Sequence, residues 1–171
     1  DAPFTDPDWE VWGLPWDEGW FLGCSRLFDI PPLECIREAI PSFYPHGYED
    51  RLRGLGVPLY MQKAYPDIPN AIEYPLKNVS SLVGDYYNSS IGYMLALAIF
   101  EGVDKIGLWG VDMDGPGEPG HANEYRDERP NCEYLLGFAK ARGIEIYIPK
   151  ESPLLKFQGT FPLGTVIPKY T

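Results

Sequence analysis

The stretch Ser90-Ile91-Gly92-Tyr93-Met94-Leu95-Ala96-Leu97-Ala98-Ile99-Phe100-Glu101 constrains the fold more than any other. Met, Leu and Ala are strong helix formers, Asn88 and Ser89 ahead of them are capping residues, and Gly102 behind them can adopt the left-handed stop. The spacing therefore predicts a helix over 90–101. Its apolar residues run nearly all round, which predicts burial between a sheet and neighbouring helices. Residues 105–113, short and apolar with Gly107 and Gly110, then read as a central strand. Pro130 suits the first turn of a further helix running to Arg142, with Gly143 as its cap. Ile144-Glu145-Ile146-Tyr147-Ile148 alternates as a half-exposed strand does. Helix, strand, loop, helix, strand implies parallel strands joined by right-handed crossovers, hence an α/β chain of Rossmann-like type with helices on both faces of a mainly parallel sheet.

Toward the N-terminus, residues 10–14 and 26–30 read as short strands stopped by Pro15 and by Pro31-Pro32. Helices are expected over 33–40 and near 48–55, and strands over 57–62 and 71–75. Trp9, Trp12, Trp16 and Trp20 recur without forming a repeat; they serve either core packing or stacking on a base or sugar. Residues 152–171, broken by Pro153, Gly159, Pro162, Gly164 and Pro168, read as an irregular C-terminal wrap of a single domain spanning 1–171. At 171 residues and 44% hydrophobic content, one well-buried core is expected.

Fourteen Lys and Arg against 25 Asp and Glu give a net charge of −11. That charge opposes direct binding to nucleic-acid backbones and to anionic membranes, and no basic patch offsets it. The longest apolar run, 91–100, is about half of what a spanning helix needs. No signal peptide is recognised, and three cysteines without a CxxC pair indicate neither a disulfide framework nor a zinc site. A soluble protein of the reducing cytoplasm is the expectation.

In an open parallel sheet, ligands sit at the rim where strands end and helices begin. Three segments converge there. The helix start at Asn88-Ser89-Ser90 is either plain N-cap chemistry or an anion site for phosphate or carboxylate. The strand end delivers Gly110, Asp112 and Asp114, which act either as turn residues or toward a ligand hydroxyl or a Mg²⁺ bridging to phosphates. The polar loop over 114–129 carries His121, Asn123, Glu124, Tyr125, Glu128 and Arg129; Arg129 either clamps a phosphate or pairs with a loop carboxylate. His121 and His46 read as surface or turn residues. Gly115-Pro116-Gly117-Glu118-Pro119-Gly120 has the GxGxxG form, but no helix start follows it at once, so it is taken as a chance match. GxSxG, HExxH and GxxxxGK[ST] are absent.

Ser89-Ser90-Ile91-Gly92-Tyr93-Met94-Leu95-Ala96-Leu97-Ala98, followed by Ile106-Gly107-Leu108-Trp109-Gly110-Val111-Asp112-Met113, resembles phage-encoded Rossmann-like proteins of unassigned function. Their wider relatives are the sialyltransferase-like and archaeal-type 6-hydroxymethylpterin diphosphokinase-like families. In these a serine-led helix precedes a strand ending in Gly-hydrophobic-Asp. Glu124-Tyr125, Arg129-Pro130-Asn131-Cys132-Glu133-Tyr134-Leu135-Leu136-Gly137 and Ile146-Tyr147-Ile148-Pro149 are also similar to the phage group. The likeness covers most of the chain for that group and about residues 85–115 for the enzymes. Such proteins begin with a strand and a Gly-x-Gly-Pro-Ser-like loop ahead of the region matched by 1–15, and this chain starts without either. The resemblance then implies a lost part of the nucleotide site and an unpaired central strand. It also implies a histidine where Phe28-Asp29-Ile30-Pro31 stands.

Two functions follow. One is a nucleotide- or nucleotide-sugar-dependent transferase of glycosyl or phosphoryl groups, with unknown acceptor. In it Asp112, Glu124 and Arg129 are catalytic, and Asn88, Ser89, Ser90, Tyr93, Gly110, Asp114, Tyr125 and Asn131 hold a small-molecule nucleotide, with or without Mg²⁺. The other is a noncatalytic phage accessory or structural protein that keeps the core and uses its acidic, aromatic surface for protein contacts.

Overall fold

The computed structural model describes residues 2–16, 23–38, 47–113 and 124–156. Four short strands, β1 (Trp12–Gly13), β2 (Arg26–Phe28), β3 (Leu59–Met61) and β4 (Ala71–Glu73), make a wholly parallel sheet in the order β1-β2-β3-β4. A second parallel pair joins β5 (Lys105–Gly107) to β6 (Glu145–Tyr147), with Ile106 opposite Ile146. The helices are α1 (Leu33–Glu38), α2 (Tyr48–Arg53), α3 (Leu76–Val83), α4 (Ser90–Glu101) and α5 (Glu124–Ala141). The chain is α/β with parallel strands, as the alternation of elements predicts.

Two-residue alternation sorts the strands' side chains between two cores. Leu27, Leu59 and Met61 face one side, where Leu33 of α1 and Tyr48 and Leu52 of α2 pack on them. Phe28 faces the other, with its ring stacked on Tyr60 at 4.8 Å between centroids. Over that second face lie Val79 and Val83 of α3, Leu95 to Ile99 of α4, and Cys132, Leu135, Leu136 and Ala139 of α5. Ile106 of β5 belongs to the same core, so α4 covers parts of both sheets. Helices thus cover both faces of the four-stranded sheet.

The α4 bounds match the sequence reading. Ser89 caps it by accepting from the Gly92 N–H, and Gly102 ends it at φ 72° with its N–H on the Ala98 and Ile99 carbonyls. Glu101 at its last turn grips Arg26 at 2.6 Å, tying this end of the helix to the start of β2.

Three elements differ from expectation. The sequence reading assigns nothing to 76–83, which is α3: Leu76, Val79 and Val83 recur at helical spacing, and their packing outweighs the weak propensity of Asn78, Ser80 and Ser81. The strand expected over 105–113 stops at Gly107. Leu108 still donates to the Tyr147 carbonyl at 3.0 Å, but Gly110 at φ 70° and Met113 at φ 48° then take conformations no strand holds. Residues 124–129 are helical rather than loop, so Pro130 lies inside α5 rather than in its first turn. Proline cannot donate to the Arg126 carbonyl; the Arg129–Glu133 pair, 3.0 Å apart, spans the weakened turn. The expected end of the 33–40 helix and the wrap beyond Lys156 lie outside the described residues, as do Trp20, His46, His121, Asn123 and the GxGxxG-like run.

A Cβ on Gly107 would collide with the Trp109 ring and press on Trp9, whereas one on Gly137, in the middle of α5, meets nothing within 4 Å. Gly107→Ala is expected to lower stability by about 1–3 kcal/mol through overpacking. Gly137→Ala is expected to raise it by about 0.5–1 kcal/mol. Urea unfolding of the two variants checks both signs.

Candidate functional site

The rim where parallel strands end is built here around the amino end of α4. Ser89 is buried at 7% exposure, and its hydroxyl accepts from Gly92 at 3.1 Å. That cap leaves the Ser90 and Ile91 amides without an acceptor among the described residues, at the positive end of a helix with no acid in its first turn. Asn88 is exposed and Ser90 half-buried. Tyr93 is half-buried and held within an aromatic group: its ring meets Tyr74 and Tyr87 edge-on at 5.0 and 4.9 Å, and its carbonyl accepts from the Tyr74 hydroxyl. Burial pushes the Tyr74 phenol well above its ordinary range, so it stays a neutral donor.

Helix α5 packs against this end. The Cys132 thiol lies 4.0 Å from the Ser89 hydroxyl. Burial pushes that thiol up to about 12, with the Ser89 contact pulling the other way, so it is a packed apolar group at neutral pH rather than a nucleophile. Asn131 beside it is 5% exposed, and its Oδ1 is buried without a hydrogen-bond partner. A buried acceptor left bare costs about 1–3 kcal/mol, so Asn131 weakens the packing of α5 rather than presenting a contact to a ligand.

The other expected residues are distributed as follows. Gly110 and Asp112 are exposed on the turn after β5, while Met113, next to Asp112, is buried at positive φ. Arg129 is tied into the structure: its Nε donates to Glu133 and its Nη2 to the Pro153 carbonyl at 2.7 Å. Glu133 in turn accepts from the Leu155 N–H, and the Ser152 hydroxyl donates to the Val111 carbonyl. One polar chain thus runs from α5 through residues 152–155 to the turn that carries Asp112. Of the two pairings open to Arg129, a carboxylate pairing is formed, with Glu133. Tyr125 is half-buried against the α4 core. Asp114 and the Glu124 side chain lie outside the described residues.

Sequence reasoning missed Asp29. It is 0% exposed, and burial pushes its carboxyl up to about 7 against a Tyr48 hydrogen bond that lowers it. The available signal was its place two residues after Leu27, on the inward face of β2. Among the described residues no group of three or more His, Cys, Asp or Glu is placed to hold a metal ion, and no helix is long and apolar enough to cross a membrane. No family model, no curated protein and no solved structure matches the chain.

Ser89→Ala removes the cap, and a loss of about 1 kcal/mol of unfolding free energy is expected by chemical denaturation. Arg129→Ala frees residues 152–155 from α5; limited trypsinolysis is expected to cut at Lys150 and Lys156 faster than in the parent, with the α4 core left intact.

Proposed function

We propose that the chain is a nucleotide- or nucleotide-sugar-dependent transferase of Rossmann-like fold, of the phage-encoded kind its sequence resembles, with ligand phosphates on the α4 amino end. The observation that carries this reading is the pair of amides at Ser90 and Ile91 that have no acceptor among the described residues, on a helix rigidly seated in the core. Amides at the positive end of a helix suit phosphate oxygens. Asp112, exposed on the turn after β5, is available to a ligand hydroxyl or to Mg²⁺ carried in with the phosphates. Arg129 serves this reading as a positioning residue for the 152–155 segment.

The fold part of the proposal rests on handedness. Right-handed crossovers require covering helices to change face when the order of strands reverses. α1 and α2, between β2 and β3, lie on one face, and α3 and α4, between β4 and β5, lie on the other. This reading takes β5 to lie beyond β1, with the ligand crevice at the switch point between them. Among the described residues no backbone hydrogen bond joins β1 to β5.

A second reading, a noncatalytic protein-binding role, is favoured by a different surface. Tyr147 is 47% exposed, its ring lies 5.2 Å from Trp109, and Trp109 meets Trp9, giving an aromatic face on β5 and β6 away from the α4 core.

Thermal-shift measurements with CMP, UDP, GDP, ADP and ATP, each with and without Mg²⁺, separate the two. Under the first reading one nucleotide at a hundredfold its Kd adds about 2.7 kcal/mol to stability. Ser90→Ala and Asp112→Ala weaken that gain. Absence of any shift across the set overturns the transferase reading.

A further inference from the structure

Asp29 directly follows β2, and the alternation that buries Leu27 turns Asp29 into the same core. Its N–H donates to the Tyr60 carbonyl at 2.9 Å, which fixes the backbone. Its Oδ2 accepts from the Tyr48 hydroxyl at 3.1 Å, and its Oδ1 has no hydrogen-bond partner among the described residues. Tyr48 is the first residue of α2 and is itself 3% exposed. Among the described residues one hydroxyl is therefore the only side-chain polar partner of a wholly buried acid.

The charges on the elements packed around it are committed elsewhere. Arg37 of α1 pairs with Glu49 and Asp67 at 2.6 Å each, and Arg53 with Asp50 at 2.6 Å and with Glu49. Lys63 pairs with Glu34, while the Tyr65 hydroxyl donates to Glu34 and accepts from the Leu33 N–H. Arg51 donates to the Trp16 carbonyl. Cys24, in the same core, has its thiol pushed up by burial. Among the described residues no cation reaches Asp29. An ionised carboxylate there would keep a bare anionic oxygen among hydrocarbon, which one hydroxyl donor does not offset.

We propose that Asp29 and Tyr48 form a proton-controlled latch between β2 and α2: the protonated acid stays sealed beneath the helix, and loss of the proton releases α2 so that the carboxylate reaches water. α2 has only six residues, and its Glu49 ion pairs with Arg37 and Arg53 are partly exposed and hold weakly. A short element so held is the kind that opens locally. The direction follows from linkage. In the closed state the acid keeps its proton up to about 7, whereas in the open state it loses it near its ordinary 3.8. The closed state therefore binds more protons between those values, and closure weakens as pH rises through that window, levelling off above it.

Hydrogen exchange of the 48–53 amides in the whole chain, corrected for intrinsic rates, reads the opening. The opening constant is expected to rise about a hundredfold from pH 5 to pH 8. Asp29→Asn, which cannot ionise, is expected to flatten that dependence and keep α2 closed at pH 8. Tyr48→Phe removes the hydrogen bond that favours the charged form, so the rise is expected to extend to higher pH and its midpoint to move up. A pH dependence that persists in Asp29→Asn overturns the latch, as does a Tyr48→Phe midpoint that stays put or falls, or exchange of these amides only through global unfolding.

Discussion

Helix α4 is the piece on which the rest is assembled. Leu95, Ala96, Leu97, Ala98 and Ile99 are each buried, and they meet the Phe28 side of the four-stranded sheet, Ile106 of the second pair, and the inner faces of α3 and α5. Burying each Leu or Ile contributes about 1.5–3 kcal/mol, and little of that would be gained by a helix covering one sheet alone. Because α4 is gripped along its length and held at its far end by Arg26, its amino end is fixed too. Ser89, the free amides after it and Asn131 on the adjoining helix are therefore placed by core packing rather than by a loop.

The two cores handle polar groups differently. On the α4 side the tyrosines satisfy one another and the backbone, with Tyr74 donating to the Tyr93 carbonyl and Ser80 bonded to Tyr87. On the α1 and α2 side the ion pairs are kept at the surface, where they cost little and stabilise little, while one acid among the described residues, Asp29, is enclosed. The first arrangement rigidifies one half around the helix that carries the rim. The second leaves α2 seated by few contacts over a group whose charge the core resists.

The segment after β5 shows how the turn chemistry and the tail depend on each other. Gly110 and Met113 at positive φ carry the chain away from the sheet, and the Val111 carbonyl between them is satisfied by Ser152 rather than by a strand neighbour. Ser152 is held in place by its neighbours' bonds to α5 through Arg129 and Glu133. An arginine that sequence alone leaves open between phosphate and carboxylate is in this way bound to a carboxylate and a carbonyl.

Elements whose cause is local were legible in the chain: α4 between Ser89 and Gly102, the short strands stopped by Pro15 and Pro31, and the alternation at 144–148 all follow from capping, φ limits and period-two patterning that nearby residues impose by themselves. Elements whose cause lies across the fold were not. α3 is helical because Val79 and Val83 find the α4 core, the 105–113 strand is cut short by what Gly110 and Met113 must reach, and Pro130 is absorbed within a helix that packing and the Arg129–Glu133 pair hold together. The candidate rim divides along the same line. A serine-capped helix start can be read from three consecutive residues, but the bare oxygens of Asn131 and Asp29 exist only once distant segments enclose them, because burial and the absence of a partner are properties of the folded chain and not of its sequence neighbours.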